Sequence, residues 1–312
     1  MLLLMVRTPT RRLRYLRTMT PDPTIAAATS ELPTAVGAAL AATVPDPGTR
    51  TSTVAAGIPF SSIAWGEPGD RPLVLIHGVT ASARVWWRVG PALAASGRRV
   101  VAVDLPGHGL TGHWAGHHRF RDNAADVAAW IRSTGLEVPE VQIIGHSWGA
   151  MTAAALPAAG MRPATLVLLD PPAVPYALIS AMANDPSERG YPDVETAVVA
   201  VAAANPGWSA GDVRAKAEAL AQVDVDAARA VVFDNGDWDG GLGDLSDPAV
   251  AAIPVWIVRG DPTAGGLLPD SAVAALSTRI GAAHIVTLAG APHSPQRTHA
   301  AATTAALLRA LA

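Results

Sequence analysis

Val141-Gln142-Ile143-Ile144-Gly145-His146-Ser147-Trp148-Gly149, running on through Ala150 to Ala159, decides how the rest of the chain is read. Val141–Ile144 reads as a short strand buried on both faces, and Trp148–Ala159, rich in alanine, as a helix. Between them, glycine stands two residues either side of a serine. A chain turning this tightly from strand to helix has no room for a side chain at those two positions. The turn pushes the serine hydroxyl out of the sheet and above the helix N-terminus, where free N–H groups and the helix dipole favour negative charge. Ser147 is therefore the candidate nucleophile. A Gly-x-Ser-x-Gly match means little alone in a chain with 28 glycines; the strand before it and the helix after it give it weight.

The same alternation extends in both directions. Upstream, Thr51–Ala56 and Phe60–Trp65 read as a hairpin around Gly57-Ile58-Pro59. Leu73–Ile76 and Val100–Val103 are apolar runs of buried-strand length, separated by a helix over Val85–Ala95, and Asn123–Ser133 is helical. Downstream, Leu166–Leu169 is a fourth buried strand. The pattern then stops and resumes with the strand Val255–Val258, a helix near Ser271–Ile280, the strand His284–Leu288 and a last helix, Gln296–Leu311. Buried strands alternating with helices predict an α/β fold with a mostly parallel sheet covered on both faces. Residues 51–170 and 254–312 form the expected core. Residues 171–253 read as an inserted helical cap or lid, with helices over Val194–Ala204 and Val213–Ala230. Residues 1–50 read as a partly flexible extension with a weak helical stretch, Ile25–Ala42.

Composition narrows the function. Half of the 312 residues are hydrophobic and 16% are charged, which suits a globular enzyme with a large core. A formal net charge of −3 gives no reason to expect nucleic acid or an anionic membrane as partner. With no cysteine, thiolate chemistry and disulfides are excluded. Apolar Met1–Val6 precedes the arginines at 7, 11, 12, 14 and 17, the reverse of a secretory signal, and no apolar run reaches bilayer length. We read residues 1–18 as an extension, Met19 as an alternative start, and the expected location as cytoplasmic.

Four motifs occur in one order: LVLIHG at 73–78, DLPGHG at 104–109, GHSWG at 145–149 and GAPH at 290–293. Over residues 55–170 and 250–311 the chain resembles the α/β-hydrolase superfamily. The resemblance implies that fold and a nucleophilic mechanism, and leaves the substrate open. It implies an oxyanion hole from the backbone N–H groups of Val79 and Trp148. It places the catalytic histidine after the last strand, where His293 stands. Two residues fit the triad acid: Asp170, which ends the fourth strand, and Asp261, which follows the strand 255–258. The family's usual aspartate falls two residues beyond Asp261, where this chain has Thr263.

Of the nine histidines, His77, His108 and His146 read as structural, and His299 as solvated. His113, His117 and His118 share a polar loop but lack the cysteines or carboxylate pattern of a metal site, so no metal and no cofactor is expected. The partner is a small molecule; the oligomeric state is not legible. Trp148, Trp86 or Trp87 can be placed against a pocket or in the core. Tyr176, Met182, Trp208, Phe233 and Trp238 are candidates for an apolar lid. Such a pocket favours esters or lactones of hydrophobic acids. Three other readings remain on this fold: a carbon–carbon bond hydrolase, a cofactor-independent lyase or oxygenase, and a non-catalytic binder of a small ligand. The last is disfavoured by the presence of serine, histidine and acid together.

Overall fold

The computed structural model describes residues 32–42, 46–112, 116–238, 242, 243, 245 and 250–312. The expectations for residues 1–18, Met19, the first part of Ile25–Ala42 and His113 lie outside them. The described chain begins with α1 (Thr34–Ala41) and the hairpin β1 (Thr49–Ala55) and β2 (Ile58–Trp65), followed by β3 (Arg71–Ile76). Then come α2 (Val89–Ala94), β4 (Arg98–Val103), α3 (Phe120–Ser133), β5 (Gln142–His146), α4 (Trp148–Ala155) and β6 (Thr165–Leu169). Four helices follow without a strand: α5 (Tyr176–Ala183), α6 (Val194–Ala204), α7 (Ala210–Gln222) and α8 (Val225–Asp234). The chain closes with β7 (Val255–Gly260), α9 (Asp270–Ile280), β8 (Ile285–Leu288), α10 (Pro295–Thr298) and α11 (Ala300–Ala310).

The strands form one eight-stranded sheet in the order β1-β2-β4-β3-β5-β6-β7-β8. β1, β2 and β4 pair antiparallel, and every pair from β4–β3 to β7–β8 is parallel. Side chains alternate between two buried layers, as the pleat requires. Val74 and Ile76 join Val101, Ile143 and Leu168 against Val127, Trp130 and Ile131 of α3. Leu73 and Leu75 join Val100, Ile144 and Val167 against Leu93 of α2 and Leu307 of α11. Burial on both faces explains why these strands read as unbroken apolar runs.

Several element boundaries differ from the sequence reading. The hairpin turns at Ala56 and Gly57, both at positive φ, in a two-residue loop that leaves Ile58 and Pro59 in the strand. The helix expected over Val85–Ala95 is a 3₁₀ turn, Ala83–Trp86, and then α2. The single helix expected over Val213–Ala230 is α7 and α8; they part where the Asp224 carboxylate accepts from the N–H groups of Asp226 and Ala227. The last helix is likewise interrupted at His299. The stretch expected as an extension contributes α1, with Val36 buried, and the first two residues of β1.

Helices α6 and α7 share an apolar contact of Ala197 and Val201 with Val213, Ala217 and Leu220. Polar bonds fasten α7 to the core: Trp87 Nε1 donates to Asp212 Oδ1 at 3.0 Å and Arg84 Nε to Glu218 Oε2 at 3.2 Å. Among the described residues, no helix is long and apolar enough to cross a membrane.

Candidate active site

The turn from β5 to α4 brings the chain into contact with the end of β3. Ser147 sits at φ 55°, ψ −122°, a conformation that side-chain-bearing residues rarely adopt. A Cβ on Gly145 would lie 2.0 Å from the Gly149 carbonyl oxygen, and one on Gly149 would lie 2.4 Å from that of Ile76. Only glycine fits either place. The chain is held there by the Ser147 N–H, which donates to the Leu169 carbonyl at 3.0 Å. The Ser147 side chain is thereby turned into a cavity above the carboxyl ends of the strands.

His293, in the loop between β8 and α10, meets it. His293 Nε2 lies 2.8 Å from Ser147 Oγ, and His293 Nδ1 lies 2.6 Å from Asp170 Oδ2. Asp170 is fully buried at the end of β6, at φ 41°. Its other contacts also aim it: Oδ1 accepts the Gly260 N–H at 2.9 Å and Oδ2 the Leu267 N–H at 3.0 Å. Asp261 faces elsewhere. Its carboxylate accepts the Thr263 N–H at 2.8 Å, the Thr263 hydroxyl at 2.7 Å and the Gly290 N–H at 3.0 Å. Partial burial pushes the Asp261 carboxyl up, but the donors from Gly290 and Thr263 outweigh it and leave it below the usual carboxylate range. Asp261 thus ties the loop after β7 to the turn that precedes His293.

The buried histidines organise the floor. His77 donates from Nδ1 to the Gly78 carbonyl at 2.7 Å and accepts the Leu105 N–H at Nε2 at 3.0 Å. His146 donates from Nε2 to the His293 carbonyl at 2.8 Å, so it holds the backbone of His293 and not its ring. Burial keeps His77 and His146 below the ordinary histidine value, and burial together with neighbouring His77 pulls His108 down to about 3. The Trp148 indole is wholly buried, donates to Asn123 Oδ1 at 3.0 Å and lies 4.9 Å from the His108 ring, so it belongs to the core and not to the pocket. Trp86 and Trp87 are also buried. His117 pairs with Asp126 at 3.0 Å, and His299 is part-buried beside Thr298 rather than solvated. Among the described residues no three His, Asp or Glu side chains converge as metal ligands would.

The cavity measures about 470 Å³ and is lined by Gly78, Val79, Ser147 and His293 from the strand ends, and by α5–α8 residues opposite. Met182, Trp208 and Trp238 line it; Tyr176 and Phe233 do not, and instead pack edge to face 6.0 Å apart. Gly78 lies so close that a Cβ there would come within 2.9 Å of Ser147 Cβ, and Val79 next to it lines the same cavity. Trp148 begins α4, and the first N–H groups of a helix have no partner within it. Sequence reasoning passed over a charged group on the cavity wall. Lys216 of α7 donates to the Thr80 carbonyl at 3.1 Å and its hydroxyl at 2.9 Å, and pairs with Glu188, which also bonds Thr80. Burial lowers the Lys216 ammonium against the pull of Glu188. This group ties the loop carrying Val79 to α7. Only the chain separation of 136 residues between Thr80 and Lys216 hid it, since a lysine on a helix also carrying Arg214 and Glu218 reads as a solvated face.

A model of the alpha/beta hydrolase family matches residues 73–307. Lipase LipV of Mycobacterium tuberculosis is 38% identical over 110 residues, covering 34% of this chain and 40% of the lipase. The chain matches between 25% and 40% of the length of such curated relatives. Among solved structures, E-2-(acetamidomethylene)succinate hydrolase superposes with a TM-score of 0.69 at 22% identity, over 84% of this chain and 98% of that one. The enol-lactonase of Burkholderia xenovorans gives 0.64 at 18% identity, over 84% and 99%. With its eight-stranded sheet, its strand–serine–helix turn and a family match over most of its length, the chain belongs to the alpha/beta hydrolase family.

Proposed function

We propose that the protein is a serine hydrolase that cleaves an ester or lactone bond of a small, largely apolar molecule through Ser147, His293 and Asp170. The observation that carries the reading is the unbroken relay from Ser147 Oγ to His293 (2.8 Å) to Asp170 (2.6 Å). Asp170 holds the Nδ1–H tautomer, leaving Nε2 free to take the serine proton as Oγ attacks the carbonyl. The tetrahedral oxyanion accepts from the N–H groups of Val79 and Trp148, each such donor being worth about 100- to 1,000-fold in rate. His293 then protonates the departing alcohol, and water, activated by the same histidine, resolves the acyl-enzyme. The residues do this chemistry without a cofactor.

Residues 171–253 act as the cap. Ile179, Met182, Val201, Val232 and Trp238 supply apolar wall, which suits the acyl portion of the substrate. The lipase among its relatives points to the same bond class. The test is steady-state hydrolysis of p-nitrophenyl butyrate. Wild type is expected to turn it over, and Ser147→Ala to lose at least about 1,000-fold in kcat/KM while keeping its circular dichroism spectrum. A Ser147→Ala protein as active as wild type would end the reading.

A further inference from the structure

Arg297 is the unusual charge in this molecule. It lines the cavity from α10, four residues after His293, and is only 8% exposed. Its guanidinium lies over the Trp208 ring, 4.3 Å from the centroid. Among the described residues it has no hydrogen-bond acceptor and no carboxylate within ion-pair distance. A guanidinium carries five N–H donors, so a buried one without an acceptor is costly.

The carboxylates whose fields reach it are committed elsewhere. Glu188 is paired with Lys216 and Thr80. Asp212 accepts from Trp87 and Ser209 and lies 3.7 Å from Arg88. Glu188 with Lys216, and Asp212 with Arg88, therefore cancel in charge. One positive charge is left over at the wall. Across the whole lining the imbalance has the same sign, four cations (Arg189, Lys216, Arg229 and Arg297) to two carboxylates (Asp185 and Glu188); Arg189, Arg229 and Asp185 are exposed, so Arg297 is the buried part of that surplus.

We propose that Arg297 anchors a carboxylate of the substrate, so that the molecule cleaved at Ser147 carries, besides its scissile acyl bond, one anionic carboxylate at the other end of an apolar spacer. The one buried charge without a carboxylate partner matches a single carboxylate, and the planar fork of a guanidinium matches its two oxygens. Trp208 holds the guanidinium plane in place on the cavity wall. The substrate class is thus the half-ester, or the lactone acid, of a dicarboxylic acid. This rests on the serine hydrolase reading for the bond cleaved, but not for the binding of the carboxylate.

The test compares mono-p-nitrophenyl glutarate with p-nitrophenyl valerate, which has the same acyl length and no charge. Wild type is expected to favour the glutarate ester by about 10- to 100-fold in kcat/KM, chiefly through KM, the range of a charge-assisted hydrogen bond. Arg297→Met is expected to lose at least tenfold more on the glutarate ester than on the valerate ester, and Arg297→Lys to recover part of the difference. Arg297→Met is also expected to melt higher than wild type by about 2–4 °C, because it removes a buried charge with no partner; an arginine that served packing alone would melt lower on replacement. Calorimetric titration of wild type with glutarate gives a readout without turnover, and heat of binding that Arg297→Met abolishes supports the anchor. Equal kcat/KM on the two esters, or glutarate binding unchanged in Arg297→Met, overturns it. A folded protein inert to both esters that still binds glutarate through Arg297 would contradict the hydrolase reading and leave the anchor standing.

Discussion

Asp170→Asn is expected to lower kcat/KM by about 10,000-fold near neutral pH, and Asp261→Asn by less than about tenfold. The asymmetry follows from what each carboxylate accepts. Asp170 Oδ2 takes the His293 Nδ1–H and the Leu267 N–H, while Oδ1 takes the Gly260 N–H. An asparagine offers one oxygen and one NH₂ group, so in either orientation a donor faces a donor. Turned with its NH₂ to His293, it forces the wrong tautomer and removes the base from Ser147. Turned the other way, it meets the Gly260 N–H, at a cost of about 1–3 kcal/mol for the unpaired buried group. Asp261 touches neither His293 nor Ser147; its loss frees the Gly290 and Thr263 donors and is expected in stability rather than rate. Kinetics of both variants, with circular dichroism to confirm folding, check this. A reversed order of the two losses would make Asp261 the acid.

The second large effect is on stability against acid. His77, His108 and His146 are buried and held below the ordinary histidine value chiefly by loss of solvation, with His108 at about 3. Among the described residues His108 Nε2 and His146 Nδ1 have no hydrogen-bond partner, so a proton added there would find no acceptor among them. In the unfolded chain the same rings titrate at about 6.5. Below that value the unfolded state binds more protons, so stability is full above it and falls as the pH drops. For His108 the fall continues down to about pH 3. From pH 7.5 to 5.5 His108 alone removes about 1.4 kcal/mol of unfolding free energy, and His77 and His146 add to the loss in the same direction. Asp261 and Glu188, whose carboxyls are held low, lose their contribution only at more acid pH, while half-buried His299, also held low by burial, adds to the same fall. Urea unfolding at the two pH values measures the difference. An unchanged free energy would mean that these rings are protonated in the folded state or exposed to water.

The motifs at 73–78, 104–109 and 145–149 were legible because each sits where a buried strand ends, and such strands announce themselves as apolar runs; the motif at 290–293 follows β8, which is only half-buried. Helix breaks were less so. Asp224 and His299 interrupt helices within stretches whose composition favours helix throughout, and only the capping bonds or backbone angles reveal them. The choice between Asp170 and Asp261 was hidden for a topological reason. They end neighbouring parallel strands, β6 and β7, so either side chain is within a strand's width of the same loop. What separates them is where each points, and the backbone donors of Gly260, Leu267, Thr263 and Gly290 decide that. Lys216 and Arg297 were not legible as cavity groups, because their surroundings are assembled from segments distant in the chain.

Covalent capture reads out at once whether Ser147 is an activated nucleophile. The protein is incubated with a fluorophosphonate beside Ser147→Ala, and the adduct is located by peptide mass spectrometry. One phosphonate per chain is expected, on the peptide holding Gly145-His146-Ser147-Trp148-Gly149, and none in the variant. A label on any other residue, or an unlabelled Ser147 in folded protein that hydrolyses the esters above, would contradict it.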